Sequence, residues 1–143
     1  MTPPSDRHPK TLDVAKQIDA LLSEVISLQQ DYVAQLCPVC EEPCCRRVSY
    51  LFDEKDVIFA RVLGRNGARG RKRRTTEAGC PYLSPTGCRL TPHIRPFTCH
   101  RYLCETLKQE MTKQDAALVS TLEQKFRILE ELRVRLWGAY VEI

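Results

Sequence analysis

Eight cysteines stand in three tight groups: Cys37-Pro-Val-Cys40-Glu-Glu-Pro-Cys44-Cys45, Cys80-Pro-Tyr-Leu-Ser-Pro-Thr-Gly-Cys88 and Cys99-His-Arg-Tyr-Leu-Cys104. Thiolates are soft ligands, so the chemistry this set offers first is chelation of zinc or the holding of an iron–sulfur cluster. The Cys37–Cys40 spacing is the chelating one. Two intervening residues let the backbone turn so that both sulfurs reach one ion, at about 2.3 Å for zinc. A single cysteine is ordinarily a small buried hydrophobe. Eight in three groups read as ligands: Cys37, Cys40, Cys44, Cys45, Cys80, Cys88, Cys99 and Cys104.

The vicinal pair constrains the arrangement. Neighbouring side chains of an extended segment point opposite ways, so one ion rarely takes both Cys44 and Cys45. Two four-thiolate tetrahedra, one such site with spare thiols, and a cubane cluster all remain open. Neither ferredoxin spacing, C-x2-C-x2-C or C-x4-C-x2-C, occurs. The opening MTPPSDRHPK has no apolar run and no cleavage site of the secretory kind, which predicts a cytoplasmic chain. In a reducing compartment, clustered cysteines favour metal over a disulfide framework.

The centre resembles the YkgJ-type cysteine-cluster family, described as a zinc- or iron-chelating domain. The resemblance is carried by Cys37, Cys40, Cys44 and Cys45 (three residues rather than two before the vicinal pair), by Cys80-Pro81-Tyr82-Leu83, by Gly87-Cys88, by Arg95-Pro96-Phe97-Thr98-Cys99, and by Cys104. The tyrosine usual between the Gly-Cys and the Arg-Pro is replaced by Thr91-Pro92. The resemblance covers about half of the chain and implies metal chelation. A related cluster occurs in flagellin lysine methylases, which adds some weight to an enzymatic or partner-binding role.

Other residues offer supporting chemistry. His93 and His100 are lesser candidates than the cysteines, His100, beside Cys99, as a ligand or a hydrogen-bond donor behind the ligands; His8 lies in the polar lead. Arg95, held extended by Pro96, is a candidate for offsetting the charge of about minus two that four thiolates leave on a zinc ion; the plainer reading is a solvated arginine. Residues 65–74 pack six positive charges into ten residues, in a chain of net charge +4. Arg69, Arg71, Lys72, Arg73 and Arg74 are therefore candidate anion contacts, for nucleic acid or an acidic protein. No aromatic residue is interleaved for base stacking, so a solvated loop is the favoured reading. Glu41, Glu42, Asp53 and Asp56 are acids without a catalytic constellation. H-E-x-x-H, phosphate-loop, Ser–His–Asp and deaminase signatures are all missing. The balance is against an enzyme.

These residues need elements to position them. With 43% hydrophobic and 28% charged residues, the composition is that of a globular chain. No apolar run reaches the roughly 18 residues of a membrane span. Residues 1–10 read as a disordered lead. Leu12, Ala15, Ile18, Leu22, Val25, Leu28 or Gln29, Tyr32 and Leu36 recur at helical spacing, which predicts one helix over 11–36. Leu118, Leu122, Phe126, Leu129, Leu132 and Leu136 form a second stripe. It predicts a helix or two between about 100 and 138, with the C-terminal helix over 105–138. Thr112 with Asp115 reads as its capping signal and Gly138 as its stop.

The centre, 37–104, holds all eight cysteines, six of the nine prolines and five of the six glycines, so long regular elements are not expected there. Its exceptions are an extended segment at Val48–Phe52 and a short helix over 53–63, capped by Asp53. A loop-rich segment buries too little apolar surface to offset its ordering entropy and calls for a metal. The expected fold is mainly α: one metal-chelating domain over 11–143, with long helices bracketing a loop-rich centre with little or no β. The two apolar stripes pair with each other or with a second copy in a homodimer.

Overall fold

The structure, a computed structural model, describes residues 9–36, 52–65, 83–84, 87–88, 93 and 95–141. The fold is mainly helical. Its elements in chain order are α1 (Pro9–Leu36), α2 (Glu54–Val62), β1 (Leu83–Ser84), β2 (Gly87–Cys88), α3 (Phe97–Arg101), α4 (Glu105–Gln114) and α5 (Leu118–Val141). Among the described residues, no helix is long and apolar enough to cross a membrane.

The two long helices form the frame. At 28 and 24 residues, they extend about 42 and 36 Å at 1.5 Å per residue. The apolar stripe of α5 is buried at every expected position, from Leu118 through Leu122, Phe126, Leu129 and Leu132 to Leu136. That of α1 is buried at Val14, Ala15, Ile18, Leu22, Val25 and Ile26, with Leu12, Tyr32 and Leu36 packed at its edge. The stripes belong to one core within one chain, which α2 joins through Ile58 and Val62 and α4 through Leu107 and Met111.

Local chemistry sets the ends of the shorter elements. Asp53 caps α2 with a reciprocal pair: its Oδ1 accepts from the Asp56 N–H at 2.8 Å, and its own N–H donates to Asp56 Oδ2 at 3.0 Å. Gly64 stops α2, with φ of 73°, a left-handed conformation that costs glycine little. The Gly64 N–H donates to the Arg61 carbonyl and the Arg65 N–H to that of Ala60, the two bonds of a Schellman end. This turn places Arg65 on α1, where its Nη1 lies 2.8 Å from Asp19 Oδ1.

Several expectations need correction. The helix of α1 starts at Pro9, so the last two residues of the lead belong to it; residues 1–8 and the extended segment, apart from Phe52, lie outside the described residues. The C-terminal region is two helices broken at residues 115–117. The cap there is Asp115, not Thr112. Asp115 Oδ1 accepts from the Ala117 N–H at 3.0 Å and its carbonyl accepts from Leu118, whereas Thr112 Oγ1 donates back to Lys108 inside α4. Gly138 does not stop α5, which runs on to Val141. Nothing packs against the place where its Cβ would be, and the partly buried Trp137 and Tyr140 continue the core contact on either side.

Candidate metal centre

Cys37, Cys40, Cys44, Cys45 and Cys80 lie outside the described residues. So do Glu41 and Glu42 and the basic residues Arg69, Arg71, Lys72, Arg73 and Arg74. Cys88 is described in its backbone. It pairs with Leu83 in the antiparallel β1–β2 ladder, with Ser84 opposite Gly87. Leu83, which ends the Cys-Pro-Tyr-Leu motif, thus lies opposite Cys88 of the Gly-Cys motif.

Cys99 and Cys104 are half-buried. Cys99 lies within α3 and Cys104 is the N-cap residue of α4, its carbonyl accepting from the Lys108 N–H at 3.0 Å. These two soft donors, on either side of the α3–α4 junction, are of the chemical kind a thiolate-bound metal takes. No group of three or more candidate ligands occurs among the described residues.

The five-residue α3 is braced from three sides. At its start, the Phe97 N–H donates to Asp56 Oδ1 at 3.0 Å. The Phe97 ring meets Phe126 of α5 edge-on, with centroids 6.2 Å apart, and carries the Arg133 guanidinium 4.3 Å from its own centroid. At its end, Gln29 of α1 donates through Nε2 to the His100 carbonyl at 3.3 Å, both residues being buried. Arg101 reaches Glu130 at 2.7 Å and Glu123 at 3.2 Å on α5. His100 is therefore placed in the core beside Cys99, with its carbonyl engaged by Gln29.

The densest electrostatics lie where α2, α3 and α5 meet. Arg133 Nη2 donates to Asp53 Oδ1 at 2.8 Å and to Asp56 Oδ1 at 3.1 Å. Burial pushes the Asp56 carboxyl up to about 6, outweighing Arg133 and the backbone donors of Asp53 and Phe97. Burial also raises Asp53, but the Asp56 N–H and the Arg133 charge outweigh it and leave that carboxyl below its ordinary value. The sign of the pH dependence follows by linkage. The stability Asp56 contributes is fully present below its unfolded value of 3.8 and is lost as pH rises through about 6. That of Asp53 is present above its unfolded value and is lost as pH falls below it. Relative to Asp56→Asn, the wild type is expected to gain roughly 2–3 kcal/mol between neutral pH and pH 4. Urea unfolding of both proteins across that range reads the difference; parallel curves contradict it.

Arg95 is half-buried and lines a cleft of about 20 Å³ with Phe52, Asp56, Phe59, Ala60, Arg65 and His93, room for about one water. The exposed His93 is 3.2 Å from Ser23 Oγ of α1 through Nε2. Arg65 opens the basic run, but its charge is matched by Asp19 and its guanidinium lies 5.7 Å from the Phe59 ring centroid. Gln29 and Arg133 were not among the site residues expected from sequence, and Asp56 was expected only as an acid without a constellation. The Asp53-x-x-Asp56 spacing is the one signal from which the Asp56 contact was readable, although the sequence reading makes only Asp53 a cap; Gln29 and Arg133 sit in helical stretches with no motif around them.

No known protein family, no curated protein and no solved structure matches the chain.

Proposed function

We propose that the chain is a metal-chelating cysteine-cluster protein that binds zinc through cysteine thiolates and serves an accessory or binding role. The observation that carries this reading is the grouping of eight cysteines around the Cys37-x-x-Cys40 chelating step. Two features of the fold support it. Cys99 and Cys104 are half-buried on either side of the α3–α4 junction, and α3, which bears Cys99, is braced by hydrogen bonds and ring contacts from α1, α2 and α5. Because the helices bury a continuous core of their own, the metal's work is to order the cysteine-bearing centre. A zinc ion closed by four thiolates has no open position for substrate or water, so it holds structure rather than turns over substrate.

Thiol reactivity tests this directly. In the protein purified without air, metal-bound thiolates react slowly with an aromatic disulfide reagent, and all eight thiols react once a strong chelator is added. Rapid reaction of all eight without chelator contradicts the reading.

A further inference from the structure

The clamp that holds the entry of α3 carries more negative charge than positive. Arg133 presents one nitrogen to two carboxylates: Nη2 lies 2.8 and 3.1 Å from the oxygens of Asp53 and 3.1 Å from Asp56 Oδ1. The two acids differ in their surroundings. The Asp53 side chain is 48% exposed and that of Asp56 only 9%, so desolvation of the surplus charge falls on Asp56. Asp56 is also what ties the start of α3 to α2, through the Phe97 N–H on Oδ1. The far end of α3 is held without it, by Gln29 on the His100 carbonyl and by Glu123 and Glu130 on Arg101. On its other side Asp56 lines the small cleft with Arg65, His93 and Arg95. Arg65 is met there by Asp19, and His93 by Ser23. A proton has a place on Asp56 Oδ2, which faces the Asp53 N–H, and leaves Oδ1 to Phe97 and Arg133.

We propose that Asp56 is a proton-operated latch on α3: protonated, it closes the entry of α3 onto α2 and α5; ionised, it lets that entry open while the far end stays docked. The latch is independent of the chelation reading, since every group in it belongs to the helical frame. Its sense follows from linkage. Burial lifts the carboxyl to about 6 in the closed form, and exposure returns it to 3.8 in the open one, so opening rises by about 50-fold from pH 4 to pH 7. Arg65 and Arg95 keep their charge across this range. A protonated His93 favours the ionised form of Asp56 and so opposes the latch rather than drives it.

The test is amide hydrogen exchange of the full chain by nuclear magnetic resonance, with each rate divided by that of an unstructured peptide at the same pH. Protection of the Phe97 N–H is expected to fall by about 50-fold between pH 4 and pH 7. At pH 7 it is expected to lie below that of Phe126, whose amide in the middle of α5 opens with the whole core. Asp56→Asn keeps an oxygen for the Phe97 N–H, does not ionise, and is expected to abolish the fall. If that variant does not fold, Asp53→Asn takes its place. It keeps a capping residue, leaves Arg133 to Asp56 alone, and is expected to shrink the fall. His93→Gln is expected to leave it unchanged. A flat profile in the wild type overturns the latch, as does a fall that persists undiminished in a folded Asp56→Asn or Asp53→Asn. Loss of the fall in His93→Gln assigns the titration to the histidine and overturns it too. Protection of Phe97 equal to that of Phe126 at pH 7 means that α3 opens only with global unfolding, and overturns the local opening on which the latch depends. None of these outcomes touches the chelation reading.

Discussion

Replacing Phe126 by Ala is expected to lower the stability of the chain by about 3–5 kcal/mol, the usual cost of deleting a buried aromatic ring. Phe126 has no exposed surface and sits in the middle of the α5 stripe. Its ring serves two layers at once: it fills the core between the long helices, meets Phe97 edge-on and carries Arg101 5.3 Å from its centroid. The cavity left by Ala cannot be filled from α3 without breaking the Phe97 N–H bond to Asp56. A domain of this size has a total stability of about 5–15 kcal/mol, so the variant loses a large share of it. Urea unfolding monitored by far-ultraviolet circular dichroism measures the change. A loss below about 1 kcal/mol contradicts the placement of Phe126 at the centre of the core.

The second large effect concerns the ligands. Structural zinc contributes on the order of 10–16 kcal/mol to small thiolate sites. Removing one of four sulfurs is thus expected to weaken zinc by about 100- to 1000-fold. Cys40→Ser breaks the chelating step with Cys37 and is expected to show this loss in competition with a chromophoric chelator. Cys44→Ser and Cys45→Ser are expected to differ from each other, because adjacent side chains of an extended segment point apart. An unchanged zinc affinity in Cys40→Ser contradicts the assignment of the Cys37–Cys40 pair.

The helical frame was legible because its signal is periodic. Ala15, Ile18, Leu22 and Val25, and Leu118 to Leu136, repeat every three or four residues, and burial on one face is what that period means. The α2 helix was legible for a different reason: Asp53 is a residue type that caps helices, and the structure forms that cap, with Asp56 adding the reciprocal bond the sequence reading does not include. The break at Asp115 was misread. Both Thr112 and Asp115 are good caps in isolation, and the choice between them is set by Leu107 and Met111 of α4, which carry the first helix past Thr112 into the core. The α3 clamp was not legible. Arg133 meets Asp53 and Asp56 across some eighty residues of chain, and a surface-looking arginine in a charged helical stretch gives no sign of such a partner. The buried Gln29 is similar: its position in the apolar stripe was visible, its bond to the His100 carbonyl was not. The cysteine groups announce their chemistry by type and spacing alone, without saying which sulfurs share an ion.

The central claim is that these thiolates hold a metal, and the most direct measurement is elemental analysis of the full chain purified without air, taken with its visible absorption spectrum. The account predicts zinc at one or two ions per chain and no colour. Iron with acid-labile sulfide and a brown spectrum would replace zinc by an iron–sulfur cluster. Neither metal, with all eight thiols titrating as free, would contradict the account at its root.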